Sequence, residues 1–352
     1  MASLAVSVLS FLLWWPKDRL GGTAKKSIVQ KNTPRPIQGL IQEPPKIVSN
    51  ESAIKETIKQ LSQNGLPSLT NQQIQGYLTS NDRDATCLIV GSRLSKNPEL
   101  LREAVARFGD NPVVQLEMAL RGPTPEERQT ALESFKQHDP QNPLCDYLDS
   151  LNAFERGDFA KAAGGLMQSL DSGTLQDYSL VLASGTEAAY LAAGYNSTEA
   201  QLYALFDSSQ RNQDTTGKMS SVADKLDELR DHYIKNNDMD AAEPTVAIGL
   251  DIGQKIQSQI KPSFLTSLVG IDIESKILNQ LDPQTPINSE GQTAETRLAE
   301  LNQQKNQLQS LVQKAQDLPI SKMSDEQMKD YTQRLRNQGE VNATQWWIDQ
   351  NK

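Results

Sequence analysis

NPELLREAVARFGDNPVVQLEMALRGPTPEERQTALESFKQHDPQNPLCDYLDSLNAFERGDFAKAAGGLMQSL, residues 97–170, is the stretch that decides the fold of this chain. The dipeptide Asn-Pro occurs three times in it, at Asn97-Pro98, Asn111-Pro112 and Asn142-Pro143. Each pair favours the start of a helix, because the Asn side chain can accept a bond from a free N–H group and Pro has no N–H to leave unpaired. The stretch therefore predicts a series of short helices.

Pairs of a small and a large apolar residue, four positions apart, recur in these predicted helices. The pairs are Ala104 with Phe108, Ala131 with Phe135, and Ala162 with Leu166. Residues four apart share a helix face, so the small residue lets a neighbouring helix approach and the large one fills the groove beside it. Gly157 and Asp158 then fit a short turn between two antiparallel helices, Pro143–Arg156 and Phe159–Leu170.

The residues Gly157, Asp158, Phe159 and Ala162 resemble the turn and second helix of the tetratricopeptide repeat family. Ala131, Phe135 and Pro143 resemble the end of the preceding repeat. The resemblance covers roughly residues 83–208 and departs from the family pattern in three ways. The spacing from Pro112 to Pro143 is 31 residues rather than the family's 34, the Trp and Leu-Gly positions of the first helix are absent, and Leu166 replaces an aromatic residue. The resemblance implies a scaffold that binds other proteins or peptides.

Length and composition favour an all-α fold. The chain has 352 residues, only 5% of them aromatic, so Leu, Ala and Ile supply most of the apolar surface, which favours helix-on-helix packing. No long stretch alternates between polar and apolar residues as a strand would. We predict an α-solenoid of helix hairpins followed by a region of longer helices. The two cysteines, Cys87 and Cys145, indicate buried small residues rather than a disulfide framework.

The net charge of −9 is unevenly distributed. Residues 16–50 contain seven basic and two acidic residues, a net charge of +5, which leaves −14 on the rest of the chain. An acidic body argues against binding to a phosphate backbone, so we expect no nucleic-acid partner. A basic stretch beside an apolar terminus favours a membrane surface.

The N-terminal segment, residues 1–15, is apolar or neutral throughout. Trp14 and Trp15 suit the boundary between lipid and water, and Lys17 and Arg19 suit the head groups. Three interpretations stay open: a membrane anchor whose start lies further upstream, the core of a secretory signal, and a buried helix. Its apolar run Ala2–Trp15, 14 residues long, falls short of the roughly 20 that a spanning helix needs. We expect a membrane-associated protein of the bacterial cell envelope with its body in the periplasm, although the positive flank by itself favours a cytoplasmic body.

The rest of the chain divides into three predicted units. Residues 16–50 contain five prolines and form an extended basic linker, residues 51–208 form the helical-repeat domain, and residues 218–352 form the C-terminal helical region. The polar stretch Asp207–Gly217 is the predicted loop between the last two units, after a helix that ends near Phe206.

The C-terminal region carries its own patterns. A helix is predicted to begin at Pro244, and Gly249 and Gly253 in it predict a close crossing with Gly270 in the next helix. Thr296–Leu318 has apolar residues at heptad positions, which favours a long helix on the body and leaves homo-oligomerisation through a coiled coil as an alternative. The adjacent residues Trp346 and Trp347 are predicted to dock onto their own domain.

We found no catalytic pattern in the sequence. The two histidines, His138 and His232, have no His or Cys at metal-ligand spacing, and the nucleophile, phosphate-loop and zinc motifs are absent. We therefore predict no catalysis, no metal and no cofactor. The leading hypothesis is a membrane-tethered helical-repeat scaffold that binds a protein or peptide. The alternatives are an enzyme built from scattered carboxylates and an envelope protein that oligomerises through its C-terminal helices.

Overall fold

The computed structural model describes residues 50–259, 261–318 and 323–351, and every regular element in these ranges is a helix. The all-α prediction is confirmed. The helices of these ranges are α1 (Asn50–Asn64), α2 (Asn71–Ser80), α3 (Ala85–Ser95), α4 (Pro98–Arg107), α5 (Pro112–Arg121), α6 (Pro125–His138), α7 (Leu144–Glu155), α8 (Phe159–Ser169), α9 (Ser179–Ala192), α10 (Ser197–Lys235), α11 (Met239–Gln257), α12 (Phe264–Leu278), α13 (Ala294–Asp317), α14 (Asp325–Gln338) and α15 (Glu340–Asp349).

The three Asn-Pro pairs open helices, as predicted. Asn97, Asn111 and Asn142 each accept a bond through Oδ1 from the backbone N–H two residues later, at 3.1, 2.9 and 3.2 Å. Pro98 and Pro112 are the first residues of α4 and α5, whereas Pro143 directly precedes α7. These bonds satisfy N–H groups that the helices cannot pair internally.

The longest helix, α10, runs without a break through residues 207–217. The predictions of a loop at Asp207–Gly217 and of a helix end near Phe206 are therefore wrong, and the boundary predicted between residues 208 and 218 falls inside α10. Six polar side chains of this stretch are buried rather than solvated. The buried ones are Asp207, Ser208, Arg211, Asn212, Thr215 and Thr216.

Arg211 is the centre of this buried polar layer, with 4% of its side chain exposed. Its Nε donates to Asp207 Oδ2 at 3.0 Å, and its Nη1 donates to Glu117 of α5. Arg93 of α3 donates to Asp207 Oδ1 at 2.7 Å, and the Thr186 hydroxyl of α9 donates to Asp207 Oδ2 at 2.9 Å. The layer thus bonds three other helices to the middle of α10.

Charge compensation keeps Asp207 ionised inside the protein. Burial alone would raise the pKa of this carboxyl, but the Arg211 and Arg93 guanidinium groups outweigh burial and lower the pKa of Asp207 to about 2. Each charge in the layer depends on its partners, because a buried charge without compensation is costly. The layer therefore specifies how α3, α5 and α9 dock on α10.

The two halves of α10 pack into different apolar cores. The first half contributes Leu202, Tyr203 and Leu205 to a core that includes residues of α1, α3, α9 and α14. The second half contributes Leu226 and Leu229 to a core that includes residues of α6, α7, α8 and α11. The long helix therefore connects the cores, with the buried polar layer between its two apolar halves.

Glycines allow α11 and α12 to cross at close range, as predicted. A Cβ atom at Gly253 would lie 2.9 Å from the Gly270 carbonyl oxygen, and one at Gly270 would lie 2.6 Å from the Gly253 oxygen. The predicted start at Pro244 is wrong, because α11 begins at Met239 and Pro244 lies inside it. The Asp238 side chain accepts a bond from the third N–H of α11 and so starts the helix more than a turn earlier.

The C-terminal helices pack on the body. In α13, which covers most of the predicted Thr296–Leu318 helix, Leu301, Val312 and Ala315 are buried. Trp347 of α15 is also buried, and its Nε1 donates to the Leu318 carbonyl oxygen at 2.9 Å. The predicted docking of the C-terminal tryptophan pair is confirmed for Trp347, whereas homo-oligomerisation stays a prediction.

Candidate functional site

Two helix hairpins of this protein have the same turn. In the α7–α8 hairpin, Gly157 has φ +74°, the Asp158 N–H donates to the oxygen five residues earlier at 2.9 Å, and the Asp158 side chain accepts from the N–H of Lys161 at 3.1 Å. In the α10–α11 hairpin, Asn237 has φ +58°, and Asp238 makes the same two bonds at 2.9 and 3.1 Å. Gly and Asn are the residues that best adopt this left-handed conformation.

The sequence after the two turns also matches. Residues 157–162 read GDFAKA and residues 237–242 read NDMDAA, so Ala162 and Ala242 hold the same position. Both alanines are buried, with 0% and 2% of their surface exposed. The sequence analysis found the first turn and missed the second, although the Asn-Asp-Met-x-x-Ala pattern was a signal that could have located it.

The two hairpins lie side by side in the same direction. Phe154 of α7 belongs to the same apolar core as Leu229 of α10, and Tyr233 packs against this core. Near the other end of the hairpins, Lys255 of α11 donates through Nζ to the Leu170 carbonyl oxygen at 3.2 Å, directly after α8. The N-termini of α8 and α11 therefore lie at the same end of the pair.

Large apolar side chains are exposed at that end. Phe159 is 50% exposed, and Met239, its counterpart in the second hairpin, is 63% exposed. Ile234 in the last turn of α10 is 38% exposed. We call Phe159, Ile234 and Met239 the hairpin-end surface. Met167, 52% exposed and two turns beyond Phe159, extends the apolar face along α8.

The predicted role of Phe159 in core packing needs correction. Its ring meets Phe154 edge-on with 6.2 Å between the ring centroids, but half of the side chain is exposed. The first residue of a helix that follows a tight turn has neighbours on one side only, so an aromatic residue at this position is incompletely covered. Phe159 is therefore available for contact with a partner.

The other predicted packing residues lie in the interior or at its edge, except Gly157, which is exposed in its turn. Ala104, Ala131, Phe135, Ala162 and Leu166 are all buried, and all but Ala131 are fully so. Phe108 directly follows α4, is partly buried against the first core, and carries the Arg107 guanidinium 5.1 Å above its ring centroid. These residues lie in two cores rather than in one.

The exposed charges near the hairpin-end surface are mostly acidic, and the acidic excess lies at the α10–α11 turn. From residue 231 to residue 243 the exposed charges are four acidic and one basic: Asp231, Lys235, Asp238, Asp240 and Glu243. Around the other turn, the exposed charges balance: Glu155, Arg156, Asp158 and Lys161. The apolar end of the hairpin pair therefore lies in a negative field.

The described residues do not bring together a cluster typical of metal chemistry. Within residues 50–259, 261–318 and 323–351, no group of three or more His, Cys, Asp and Glu side chains could hold a metal ion. Cys87 and Cys145 are free and buried, and burial raises the pKa of each thiol to about 12, so both stay protonated. Among the carboxylates that could have formed a dispersed site, Asp224 and Asp227 pair with Lys276 Nζ, at 2.9 Å each.

The predicted membrane residues Trp14, Trp15, Lys17 and Arg19 lie outside the described residues, as do segment 1–15 and all of linker 16–50 except Asn50. Within the part of the chain that the structure describes, no helix combines the length and apolar character needed to cross a bilayer. Comparison of the chain with protein-family models, curated proteins and solved structures gave no significant match.

Proposed function

We propose that this chain is a membrane-tethered helical scaffold whose hairpin-end surface binds a basic amphipathic helix of a partner protein. The observation that carries the proposal is the exposure of Phe159 and Met239 at equivalent positions of two adjacent hairpins. Clustered exposed apolar side chains bordered by polar ones are typical of protein interaction sites. The resemblance of Gly157–Ala162 to tetratricopeptide repeats supports the same class of function, and the second turn at Asn237–Ala242 extends that resemblance.

The charge around the surface favours this partner over others. An amphipathic helix places apolar residues on one face, where they can contact Phe159, Ile234 and Met239. Lysines or arginines beside that face would lie near the acidic side chains between residues 231 and 243. Such complementarity raises the association rate and disfavours acidic partners. The membrane tether is the role we propose for residues 1–15, with residues 16–50 as the spacer.

The proposal is tested with a synthetic amphipathic peptide of about 18 residues, or five helical turns, with leucines on one face and lysines on the other. Fluorescence anisotropy measures its binding to the full chain, to the double variant Phe159→Ser/Met239→Ser, and to the control Val181→Ser/Leu191→Ser. The control removes two exposed apolar residues, 52% and 44% exposed, from α9. We expect the first variant to bind at least about tenfold more weakly and the control to bind like wild type.

Three outcomes separate the proposal from its rivals. Equally weakened peptide binding in Phe159→Ser/Met239→Ser and in Val181→Ser/Leu191→Ser would show that the apolar contacts are unspecific. That result would contradict the proposed surface. Equal binding of a peptide with glutamates in place of the lysines would contradict the basic partner. Sedimentation that shows a dimer of the full chain, lost in the Phe159→Ser/Met239→Ser variant, would identify a second copy of the chain as the occupant.

A further inference from the structure

A half-enclosed cavity of about 270 Å³ lies beside the middle of α10, on a different side from the Arg211 network. Its walls come from the start of α9, from α10, from the segment before α12, and from the ends of α14 and α15 that meet there. The buried leucines Leu175, Leu205 and Leu335 line it, and Val181, which is 52% exposed, also borders it. This cavity is separate from the hairpin-end surface.

The volume sets the size of a ligand. An apolar cavity of about 150 Å³ in an engineered protein holds benzene, which has six carbon atoms. In proportion, a cavity of about 270 Å³ holds a molecule of about eleven non-hydrogen atoms. The buried leucines favour an apolar body for such a molecule, because its transfer from water to an apolar wall is favourable.

The charged groups of the lining set the polarity of the ligand. They are two carboxylates, Asp177 and Glu340, and one lysine, Lys261, which is exposed. Asp177 accepts bonds from the Ser179 N–H at 3.0 Å, from the Ser179 hydroxyl at 2.9 Å and from Asn212 Nδ2 at 3.1 Å. These donors are all neutral, so the hydrogen bonds position the carboxylate without compensating its charge.

Asp177 also retains room for one more donor. Its Oδ1 accepts two bonds and its Oδ2 accepts one, whereas a carboxylate offers about four acceptor positions. The neighbouring Tyr178 fixes the backbone of this wall. It adopts φ +54°, an uncommon conformation for an aromatic residue, and its hydroxyl donates a hydrogen bond to Asp139. A fixed carboxylate at the edge of an apolar cavity suits a cationic nitrogen.

We propose that this cavity binds a small amphipathic amine, with its apolar body against the leucines and its ammonium group hydrogen-bonded to Asp177. Tryptamine is a suitable probe, since it has an indole ring, an ethylammonium chain and twelve non-hydrogen atoms, about the number that the volume allows. Its neutral analogue 3-ethylindole keeps the apolar body and lacks the ammonium group. Indole-3-propionate carries a negative charge in place of the positive one.

Isothermal titration calorimetry of the full chain with these three molecules tests the proposal. We expect tryptamine to bind at least about tenfold more tightly than 3-ethylindole, because charge-assisted hydrogen bonds are the stronger ones. The variant Asp177→Asn keeps one oxygen acceptor and removes the charge, so it should lose that advantage while binding 3-ethylindole as wild type does. Indole-3-propionate should not bind.

Two further variants keep the test decisive. Val181→Trp adds bulk at the cavity border and should abolish the binding of tryptamine and 3-ethylindole alike. The matched control is Leu191→Trp, because Leu191 is 44% exposed and lies ten residues after Val181 in α9. This variant should bind both molecules like wild type. Circular dichroism and thermal melting establish that all variants are folded. Failure of tryptamine to bind at millimolar concentration, an affinity equal to that of 3-ethylindole, or undiminished binding in Asp177→Asn or Val181→Trp would overturn the proposal.

Discussion

Arg211 and Asp207 lie one turn apart on α10, and Arg211 Nε donates to Asp207 Oδ2 at 3.0 Å inside the protein. On an exposed helix a pair at this spacing contributes a few tenths of a kcal/mol. Here only 4% and 2% of the two side chains are exposed, and side chains of α3, α5 and α9 bond to this part of α10. The pair is therefore part of the interior, and its removal should affect the whole fold.

We expect Arg211→Met to lower the free energy of unfolding by about 3–5 kcal/mol, because it leaves Asp207 and Glu117 buried with less compensation. Urea denaturation followed by circular dichroism measures the loss. The control is Lys225→Met on the same helix, whose side chain is 40% exposed and whose partner Glu228 is 64% exposed. That variant should lose less than about 1 kcal/mol. A small loss of unfolding free energy in Arg211→Met would show that the buried layer does not stabilise the fold as a unit.

The low pKa of Asp207 predicts acid sensitivity. Its folded value of about 2 lies below its ordinary value of 3.8, so the stabilisation is fully present above pH about 4 and is lost as the pH falls through about 2. The contribution is about 2–3 kcal/mol, since one pKa unit corresponds to about 1.4 kcal/mol. Unfolding measured against pH should show the stability difference between wild type and Asp207→Asn narrowing between pH about 4 and about 2. A difference that does not change with pH would contradict the assignment.

The helix crossing predicts opposite effects for two glycine substitutions. Gly253→Ala should lower the free energy of unfolding by about 1–3 kcal/mol, because the added methyl group would overlap the backbone of α12. Gly217→Ala should raise it by about 0.5–1 kcal/mol, because Ala favours the helix and the described residues leave open space for a methyl group there. Thermal and urea unfolding of both variants provide the measurement. A shift of the same sign in both would count against the crossing.

The repeat packing pairs predict a large difference between two phenylalanines. Phe135→Ala should cost about 3–5 kcal/mol, since Phe135 is fully buried and its removal leaves a cavity. Phe159→Ala should cost less than about 1 kcal/mol, because the ring is half exposed. Ala131→Leu should cost about 1–3 kcal/mol through overpacking. Comparable unfolding midpoints for the Phe135→Ala and Phe159→Ala variants would show that the burial of the two phenylalanines has been assigned incorrectly.

The N-terminal segment predicts membrane binding in a graded series. The full chain should float with liposomes at high salt, because burial of an apolar segment is not screened by salt. A chain that starts at Pro16 should float only at low salt and on anionic lipid, since exposed charges are screened over about 8 Å at physiological ionic strength. A chain that starts at Ser52 should not float. A full chain that stays in the soluble fraction throughout would remove the membrane tether from the proposed function.

The sequence alone predicted the elements that depend on short-range interactions. Asn97, Asn111 and Asn142 bond to N–H groups two residues away, and the turn at Gly157 is closed by bonds within five residues. The small residues at Gly253 and Gly270 also predicted their crossing, because only a residue without a Cβ permits so close an approach. Local geometry is encoded in neighbouring residues, so a sequence pattern is sufficient to locate it.

The tertiary structure decided which polar and apolar residues are buried and which are exposed to solvent. The stretch Asp207–Gly217 has the composition of a solvated loop, and its buried partner Glu117 lies 94 residues from Arg211 along the chain. Phe159 looks like a core residue in the repeat pattern, yet the end of a hairpin leaves half of it exposed. Exposure depends on contacts between distant segments, and a single sequence does not specify which segments meet. The buried polar layer, the hairpin-end surface and the cavity beside α10 therefore emerge only once the helices are packed.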